Sequence, residues 1–326
     1  MAGAGREAVG GCVDEQLETV AAAEFPPVIV NRAAWPATDK LRVVAFNARW
    51  GLRLEQIIAR LRRPPLMGAG ALLLTEIDCN VRRSHNRDVA AEIAEALAMS
   101  FVYVPEFAPR SQMPRPVSYL GNAILSGYPL SNVRAVALPN YRLPRRLRRL
   151  TGGPCGIAAT INPNGTAGPD GREITIGVAH LHSRTAPAGR ERQMECYLQA
   201  LPSAGPAIIG GDFNTTTVAL MRPREVIDAL RLAALSPRRF RRPMRYEPLF
   251  ARLAAAGFGI EGANAWGQAT FTYSGAVPRW ARPKLDWLAL RGLEPVEGSA
   301  AVVAAKTGML GRRISDHDFV TCVVRV

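Results

Sequence analysis

Nine apolar runs with the length and the branched or aromatic content of β-strands recur along the chain from Leu41 onward. They cover residues 41–47, 71–76, 101–107, 121–126, 155–161, 173–181, 206–211, 285–290 and 319–326. Residues 1–40 lack sustained periodicity, and no clear linker divides the remainder. The pattern therefore predicts one β-rich domain over residues 41–326, preceded by an N-terminal extension over residues 1–40.

Helical spacing of apolar residues marks three further segments, 87–99, 188–201 and 247–257. In the first of them, Val89, Ile93 and Leu97 recur at every fourth position. Between residues 101 and 181 the strands follow one another without helices, so a strict alternation of strand and helix fits poorly. We expect two mixed or antiparallel sheets that pack face to face and are covered by helices.

Polar side chains fall at the ends of six of these apolar runs. They are Asn47, Glu76, His180 with His182, Asp212 with Asn214, Asp286, and Asp316 with His317. Each has an ordinary explanation on its own, such as a solvent-facing glutamate, a core histidine with its hydrogen bonds satisfied, or a turn. Because binding sites of α/β proteins lie at strand ends, six coincidences favour a functional site.

The stretch IIGGDFNTTT, residues 208–217, has two interpretations. Glycine, aspartate and asparagine favour a turn after the strand. Alternatively, an extended chain beyond Gly211 places Asp212 and Asn214 on one side and Phe213 on the other, so that two oxygen-bearing side chains face the same space. The stretch alone leaves both interpretations open.

The polar set suits a particular chemistry. Carboxylates with amide oxygens, and no cluster of cysteine and histidine, are typical of a hard cation such as Mg²⁺ or Mn²⁺ rather than structural zinc. A histidine beside an aspartate can hold a proton against developing negative charge. The chain has no G-x-S-x-G, G-x-x-x-x-G-K-[ST], H-E-x-x-H or G-x-G-x-x-G motif, so acyl transfer, P-loop and dinucleotide chemistry lack support.

The net charge of +14 favours contact with polyanions such as nucleic acid. Two basic clusters, residues 141–150 and 237–246, are candidate contacts, and a solvated charged face is the alternative for both. Only Lys40, Lys284 and Lys306 are lysines, so an arginine-rich coding bias would produce the same charge. The charge is therefore a weak indicator of the partner.

Five scattered cysteines without a C-x-x-C pair predict neither a disulfide framework nor a zinc ribbon. No stretch reaches the roughly 18 apolar residues of a membrane span, and the first residues lack the apolar segment of a signal peptide. We expect a cytoplasmic protein, without a transmembrane segment, that is a monomer.

Seven segments, in order, resemble the endonuclease/exonuclease/phosphatase superfamily of DNase I-like, metal-dependent phosphohydrolases. They are RVVAFNARWG, LLLTEID, GNAILSGYPL, VAHLHSRTAPAGRERQ, GGDFNT, KLDWLAL and ISDHDFV, and the resemblance covers residues 41–326. It implies an α+β fold, a four-layer α/β sandwich in which two packed mixed or antiparallel sheets are flanked by helices. Two positions depart from the family pattern: Thr75 replaces the usual glutamine, and Arg49 stands where some nuclease branches have an acid.

The resemblance also implies a role for each site residue. Glu76, Asn47 and Asp316 would hold the divalent cation, Mg²⁺ or Mn²⁺. Asp212 would orient or deprotonate the attacking water, and Asn214 would hold the phosphate and the water in place. His317, fixed by Asp286, and His180, in preference to His182, would donate to the phosphorus oxygens. Asn122 and Arg184 are candidates for phosphate or substrate contact. Trp280, an aromatic residue in the basic segment VPRWARPK, is a candidate stacking group for a base, with a place in the core as the alternative. One metal ion is expected, because Arg49 occupies the position of a second metal contact.

The function so implied is hydrolysis of P–O ester bonds by in-line attack of water, with nucleic acid as the favoured substrate. Small or lipid phosphoesters are the alternative, although the chain shows no apolar rim for a lipid and few lysines for an inositol phosphate. An alternative of another class is a non-catalytic nucleic-acid-binding module, which would be expected to have lost metal ligands.

Overall fold

The computed structural model describes residues 25–108, 117–139, 152–165, 173–219, 242–272, 282–308 and 311–326, together with isolated residues between 227 and 239. The strands are β1 Val28–Val30, β2 Lys40–Asn47, β3 Ala71–Cys79, β4 Ser100–Phe107, β5 Tyr119–Ser126, β6 Ser131–Ala137, β7 Cys155–Ile161, β8 Ile174–Ala179, β9 Ala207–Asp212, β10 Asp286–Arg291, β11 Glu294–Pro295, β12 Ala301–Val303 and β13 Phe319–Arg325. The helices are α1 Leu54–Leu61, α2 Val89–Ala96, α3 Pro187–Gln199 and α4 Leu249–Ala255.

The strands form two mixed sheets. The first has the order β1-β4-β5-β3-β2-β13-β11, with β12 also paired to β13, and the second has the order β10-β9-β8-β7-β6. Each sheet is antiparallel except for one parallel pair, β2 with β3 in the first and β8 with β9 in the second. The carboxyl ends of each parallel pair therefore lie at the same edge of their sheet.

The two sheets pack against each other through an apolar core. Their inner faces contribute Val43, Leu73, Ile124, Ile157, Ile176 and Ile208, all fully buried. Helices α1 and α2 cover the outer face of the first sheet, and α3 and α4 cover that of the second. The four-layer α/β sandwich expected from the sequence is confirmed.

All nine predicted strands and all three predicted helices are present, with small shifts at their ends. The sequence pattern missed α1, whose buried Leu54, Ile57 and Leu61 recur at three- and four-residue spacing, and it missed β6. Residues 28–30 pair with β4 as an edge strand, although they lie in the segment interpreted as an extension. None of the helices in the described part of the chain has the length and hydropathy needed to cross a membrane.

Close packing between backbones explains the two glycines that precede Asp212. A Cβ atom on Gly210 would lie 2.8 Å from the carbonyl oxygen of Trp287. Gly211 has φ +129°, and a Cβ atom there would lie 2.3 Å from the carbonyl oxygen of Ala179. Both neighbouring strands thus approach β9 more closely than any side chain allows.

We expect Gly211→Ala to lower the free energy of unfolding by about 3 kcal/mol, because it combines an unfavourable φ with a steric overlap against a neighbouring backbone. Gly205→Ala is the matched control, since Gly205 also has a positive φ, +87°, but has open space around its Cα. It should cost only about 1 kcal/mol. Urea denaturation measures both, and equal losses would contradict the packing explanation.

A candidate active site at one end of the sandwich

The topology collects the polar strand ends at one end of the molecule. Asn47 ends β2 and pairs with Thr75 in the middle of β3, where the parallel pairing of the two strands stops. In the second sheet, Asp212 ends β9 and pairs with Asp286, which begins the antiparallel β10. Because antiparallel neighbours contribute their amino ends to the same edge, His317, just before β13, joins the group.

Asn47 connects the two sheets. Its Nδ2 donates to Oε1 of Glu76 and to Oδ2 of Asp212, both at 3.1 Å. Its Oδ1 accepts a hydrogen bond from the backbone nitrogen of Arg49 at 3.0 Å. The amide is 1% exposed, so both carboxylates are oriented by a buried donor. In this arrangement Asn47 presents nitrogen, not oxygen, to the acids.

A bulge in β3 aims Glu76 into the site. The register of β3 against β5 shifts between Leu74 and Ile77, and Glu76 has φ +53°. Bulges of this kind redirect a side chain, and a left-handed glutamate costs free energy that the surrounding structure must offset. The bulge therefore accounts for a partly exposed carboxylate in the middle of a mostly buried strand.

The side chain of Asp212 contributes both to the turn that follows β9 and to the polar site. Its Oδ1 accepts from the backbone nitrogen of Asn214 at 3.0 Å, which is the self-bonding expected of a turn. Its Oδ2 faces Asn47 and the site. Asn214 is not extended as the second interpretation required: its φ is +50°, and its Nδ2 donates to the carbonyl oxygen of Leu181 at 2.7 Å.

Asp286 and His317 form a buried pair. The Nδ1 of His317 lies 2.8 Å from Oδ2 of Asp286, and its Nε2 lies 3.6 Å from Oδ2 of Asp212. Burial alone would lower the pKa of His317, but the charges of Asp286 and Asp212 and the hydrogen bond to Asp286 outweigh it and raise the pKa to about 10. The ring therefore carries both protons at neutral pH.

A second pair consists of the partly exposed His180 and the buried Glu106. The Nδ1 of His180 lies 3.6 Å from Oε2 of Glu106, and its Nε2 lies 3.9 Å from Oδ2 of Asp212. Burial opposes the charged imidazole, but the nearby carboxylate of Glu106, together with the charges of Asp212 and Glu76, raises the pKa of His180 to about 9. Sequence analysis missed Glu106. Its only signal was an acid inside the apolar run FVYVPEF.

Asp212 thus lies between two imidazolium groups. Burial and the nearby charge of Asp286 raise its pKa above the ordinary aspartate range, while His317, His180 and the hydrogen bond from Asn47 oppose that rise. A carboxylate whose pKa is moved toward neutrality can accept a proton near pH 7. The site therefore holds one proton acceptor, Asp212, with a proton donor on each of two sides, at 3.9 Å for His180 and 3.6 Å for His317.

Two groups of residues offer ligands for a metal ion. Asp212, Asp286 and His317 each bring one suitable atom within 4.8 Å of the others. However, Nδ1 of His317 is engaged with Oδ2 of Asp286, so this nitrogen is not free to coordinate a cation in the arrangement described. Glu76 and Asp316 offer carboxylate oxygens that are partly accessible to solvent, which suits a hard cation better.

Asp316 reaches the site through its neighbours. Its Oδ2 lies 3.6 Å from Nε of Arg49, and Ser315 Oγ donates to the carbonyl oxygen of Asn47 at 2.8 Å. The loop that carries Asp316 and His317 is thereby attached to the end of β2. Among the residues that the resemblance assigns to the metal, Glu76 is hydrogen-bonded to the side chain of Asn47. Asp316 is connected to Asn47 through the hydrogen bond of its neighbour Ser315.

The residues predicted to contact the substrate are not held together by hydrogen bonds as the catalytic residues are. Nδ2 of the buried Asn122 donates to the carbonyl oxygen of Cys155 at 2.9 Å, and its Oδ1 has no hydrogen-bond partner among the described residues. Arg184 is exposed in the loop after His182, whose Nδ1 accepts from the Arg184 backbone nitrogen at 3.1 Å. Trp280 and the basic cluster 141–150 lie outside the described residues.

Part of the second basic cluster is described. The guanidinium of Arg239 lies 4.2 Å from the ring centroid of Tyr246, and its Nε donates to Oγ1 of Thr217 at 3.1 Å. Arg242 and Arg245 are exposed nearby in sequence. At least one member of this cluster therefore packs against the protein instead of forming a free charged face.

A buried ion pair stabilises the loops beside the site. Arg190 in α3 donates to both carboxylate oxygens of Glu247, at 3.0 and 2.5 Å, and neither side chain is exposed. Glu247 also accepts from the backbone nitrogen of Thr217, and Arg190 donates to the carbonyl oxygen of Thr185. This pair thus connects the loop after His180 with the loop after Asn214.

Lys284 is a second residue that sequence analysis did not single out as part of the site. It is fully buried, its Nζ lies 4.6 Å from the Trp287 ring centroid, and Nζ has no hydrogen-bond partner among the described residues. Burial lowers the pKa of Lys284 to about 8, against the opposing charge of Asp286. A buried amine, shielded from solvent, is therefore close enough to Asp286 for the two charges to interact.

Comparison with known proteins identifies the fold. No family model and no curated protein matches the chain. Several solved structures match the chain. An endonuclease/exonuclease/phosphatase from Beutenbergia cavernae DSM 12333 has 17% identity and a TM-score of 0.59, over 89% of this chain and 72% of that chain. The human Nocturnin catalytic domain with bound sulfate has 19% identity and a TM-score of 0.55, over 92% and 97%.

TDP2 from D. rerio, complexed with single strand DNA product, has 15% identity and a TM-score of 0.54, over 89% of this chain and all of that chain. At such identities the likeness establishes a shared fold. The DNase I-like sandwich expected from the sequence is therefore confirmed by structures of endonuclease/exonuclease/phosphatase proteins.

We expect Glu106→Gln to lower the pKa of His180 by at least about one pH unit, because it removes the nearest negative charge. Since the pKa of His180 is raised on folding, its contribution to stability is full below about pH 6.5 and is lost as the pH rises through about 9. In the variant that loss should occur at lower pH.

NMR titration of the imidazole Cε1–H signals measures this pKa, and His180→Asn assigns the resonance. Glu95→Gln, an exposed change on α2, is the control. An unchanged titration of His180 in Glu106→Gln would show that the pair does not set its charge.

Proposed function

We propose that the protein is a divalent-metal-dependent phosphodiesterase that hydrolyses P–O ester bonds of nucleic acid by in-line attack of water. The observation that carries this proposal is the buried Asp212 carboxylate, held by Asn47 and placed between the imidazoles of His180 and His317. The fold shared with endonuclease/exonuclease/phosphatase proteins supports the same reaction class.

Each side chain has a role that follows from its surroundings. Asp212 accepts the proton of the attacking water, since its pKa is raised toward neutrality. His180 and His317 are cationic and donate to the oxygens on which negative charge develops. Glu106 and Asp286 hold these two rings in orientation and keep them protonated.

The metal ion, Mg²⁺ or Mn²⁺, would be held by Glu76 and Asp316. When bound, it supplies Lewis-acid stabilisation of a phosphoryl oxygen. Asn47 orients the Glu76 carboxylate through Nδ2, while its own oxygen is engaged by the Arg49 backbone. We therefore assign Asn47 a positioning role toward the metal ligand, in place of the direct coordination implied by the sequence resemblance.

Two observations favour nucleic acid as the substrate. The net charge is +14, which attracts a polyanion. The TDP2 structure, similar over 89% of this chain, contains a single strand DNA product. A small phosphoester remains the competing substrate class, and the substrate panel below distinguishes the two.

We expect Asp212→Asn to lower kcat on a phosphodiester by about 10²- to 10⁴-fold, the typical contribution of a general base, because the amide cannot accept the proton. Wild type and variant are compared on single-stranded DNA, RNA, plasmid and bis-p-nitrophenyl phosphate, with Mg²⁺ or with EDTA. Asp39→Asn, an exposed change at the opposite end of β2, is the control. Metal-independent turnover, or full activity of Asp212→Asn, would refute the mechanism.

Metal binding can be tested without turnover. We expect Mg²⁺ to raise the Tm of the wild type, because a ligand that binds only the folded state stabilises it. Glu76→Gln should reduce that increase, whereas Glu95→Gln should not. Equal metal-induced shifts in both variants would exclude Glu76 as a ligand.

A further inference from the structure

A short left-handed turn follows Asn47 at the mouth of the site. Arg49, Trp50 and Gly51 have φ values of +47°, +67° and +70°. The first two are conformations that residues with side chains rarely adopt, and such conformations cluster at functional sites. The turn thus places an arginine and a tryptophan in succession, two and three residues after Asn47.

Two hydrogen bonds and one close packing contact fix the conformation of this turn. The Arg49 nitrogen donates to Oδ1 of Asn47 at 3.0 Å, and the Gly51 nitrogen donates to the carbonyl oxygen of Ala48 at 3.1 Å. A Cβ atom at Gly51 would lie 2.5 Å from the side chain of Val89 in α2. Because the side chain of Asn47 also bonds Glu76 and Asp212, the turn and the site share one anchor.

Arg49 offers a guanidinium to solvent. Its side chain is 48% exposed, and its one ion pair, between Nε and Oδ2 of Asp316, spans 3.6 Å. Its two terminal nitrogens have no hydrogen-bond partner among the described residues. An ion pair this exposed contributes little to stability, so the planar fork is available to bind a phosphate.

Trp50 is held in place by a cation. The guanidinium of Arg83 lies 4.1 Å from the ring centroid of Trp50. Arg83 is itself fixed by two hydrogen bonds, at 2.8 and 2.7 Å, to the fully buried carboxylate of Asp78. Trp50 nevertheless retains some solvent exposure. An indole that is oriented and accessible is suited to stack on an aromatic ring.

We propose that this turn is a binding subsite for a nucleotide unit next to the scissile phosphate, in which Arg49 binds a phosphate and Trp50 stacks on an unpaired base. The inference rests on the proposed function and deepens it, because the substrate must then carry a base. A lipid headgroup or an inositol phosphate has no aromatic ring to stack. The chemistry therefore selects single-stranded nucleic acid.

Fluorescence anisotropy in EDTA measures binding of a fluorescein-labelled octathymidylate and of the same backbone with abasic units. Trp50→Ala should weaken binding of the octathymidylate by roughly 5- to 150-fold, the range found when a stacking aromatic is removed. It should leave the affinity for the abasic strand unchanged. Trp50→Phe, which keeps an aromatic ring, should restore most of the affinity for the octathymidylate.

Arg49→Ala tests the phosphate contact. It should weaken binding of both strands and reduce the slope of log affinity against log salt by about 0.7, the value for one phosphate contact to a single strand. Arg325→Ala, an exposed arginine at the far end of β13, should change neither. Thermal unfolding confirms that each variant is folded.

The subsite is excluded if folded Trp50→Ala binds octathymidylate as tightly as the wild type, or loses affinity for both strands equally. The proposed function fails separately, if the wild type hydrolyses no phosphodiester with any metal. Turnover of bis-p-nitrophenyl phosphate by the wild type, together with unchanged binding by Trp50→Ala and Arg49→Ala, would keep the proposed function and reject the subsite.

Discussion

The packing of the two sheets is the constraint on which the site depends. Polar contacts at the site cross from one sheet to the other, among them Asn47 to Asp212, Glu106 to His180, and His317 to Asp286. In each, one partner belongs to the first sheet or its connecting loops and the other to the second. The apolar core between the sheets, with Val43, Leu73 and Ile176 among its members, fixes their separation. A site built this way is no more rigid than that core.

The charges at this end of the sandwich are set by two opposing effects, the cost of desolvation and the attraction between oppositely charged neighbours. Desolvation disfavours every charged group, yet the histidines remain protonated because each lies beside a buried carboxylate. The compensation is incomplete: Oε2 of Glu106 and Oδ1 of Asp286 accept no hydrogen bond within the described chain. Buried polar groups normally have hydrogen-bond partners. Exceptions of this kind are typical of functional sites, where the arrangement of groups lowers the stability of the fold.

The sequence predicted the strands well, because mainly apolar runs such as ALLLTE and CGIAATI are stable only where both of their faces are buried, as in a sheet covered on both sides. It also placed the polar strand ends, since a resemblance in seven ordered segments fixes which residues meet. It could not reveal Glu106, because a single acid in an apolar strand carries no periodic signal. Nor could it show the bulge at Glu76 or the left-handed Asn214, which depend on contacts between distant segments. The direction of the Asn47 amide is set by Arg49, Glu76 and Asp212 together, and so belongs to the tertiary structure.

The glycines of GGDFN have a meaning separate from that of the acid that follows them. Gly210 and Gly211 are required because strands β8 and β10 approach β9 too closely for a Cβ atom. That requirement concerns the spacing of backbones, and it would persist in a related chain that had lost hydrolytic activity. The two glycines are therefore markers of ancestry and architecture. In a survey of divergent chains, these two glycines would identify the sandwich, whereas the polar residues at positions 76, 180, 212 and 317 would carry the information about chemistry.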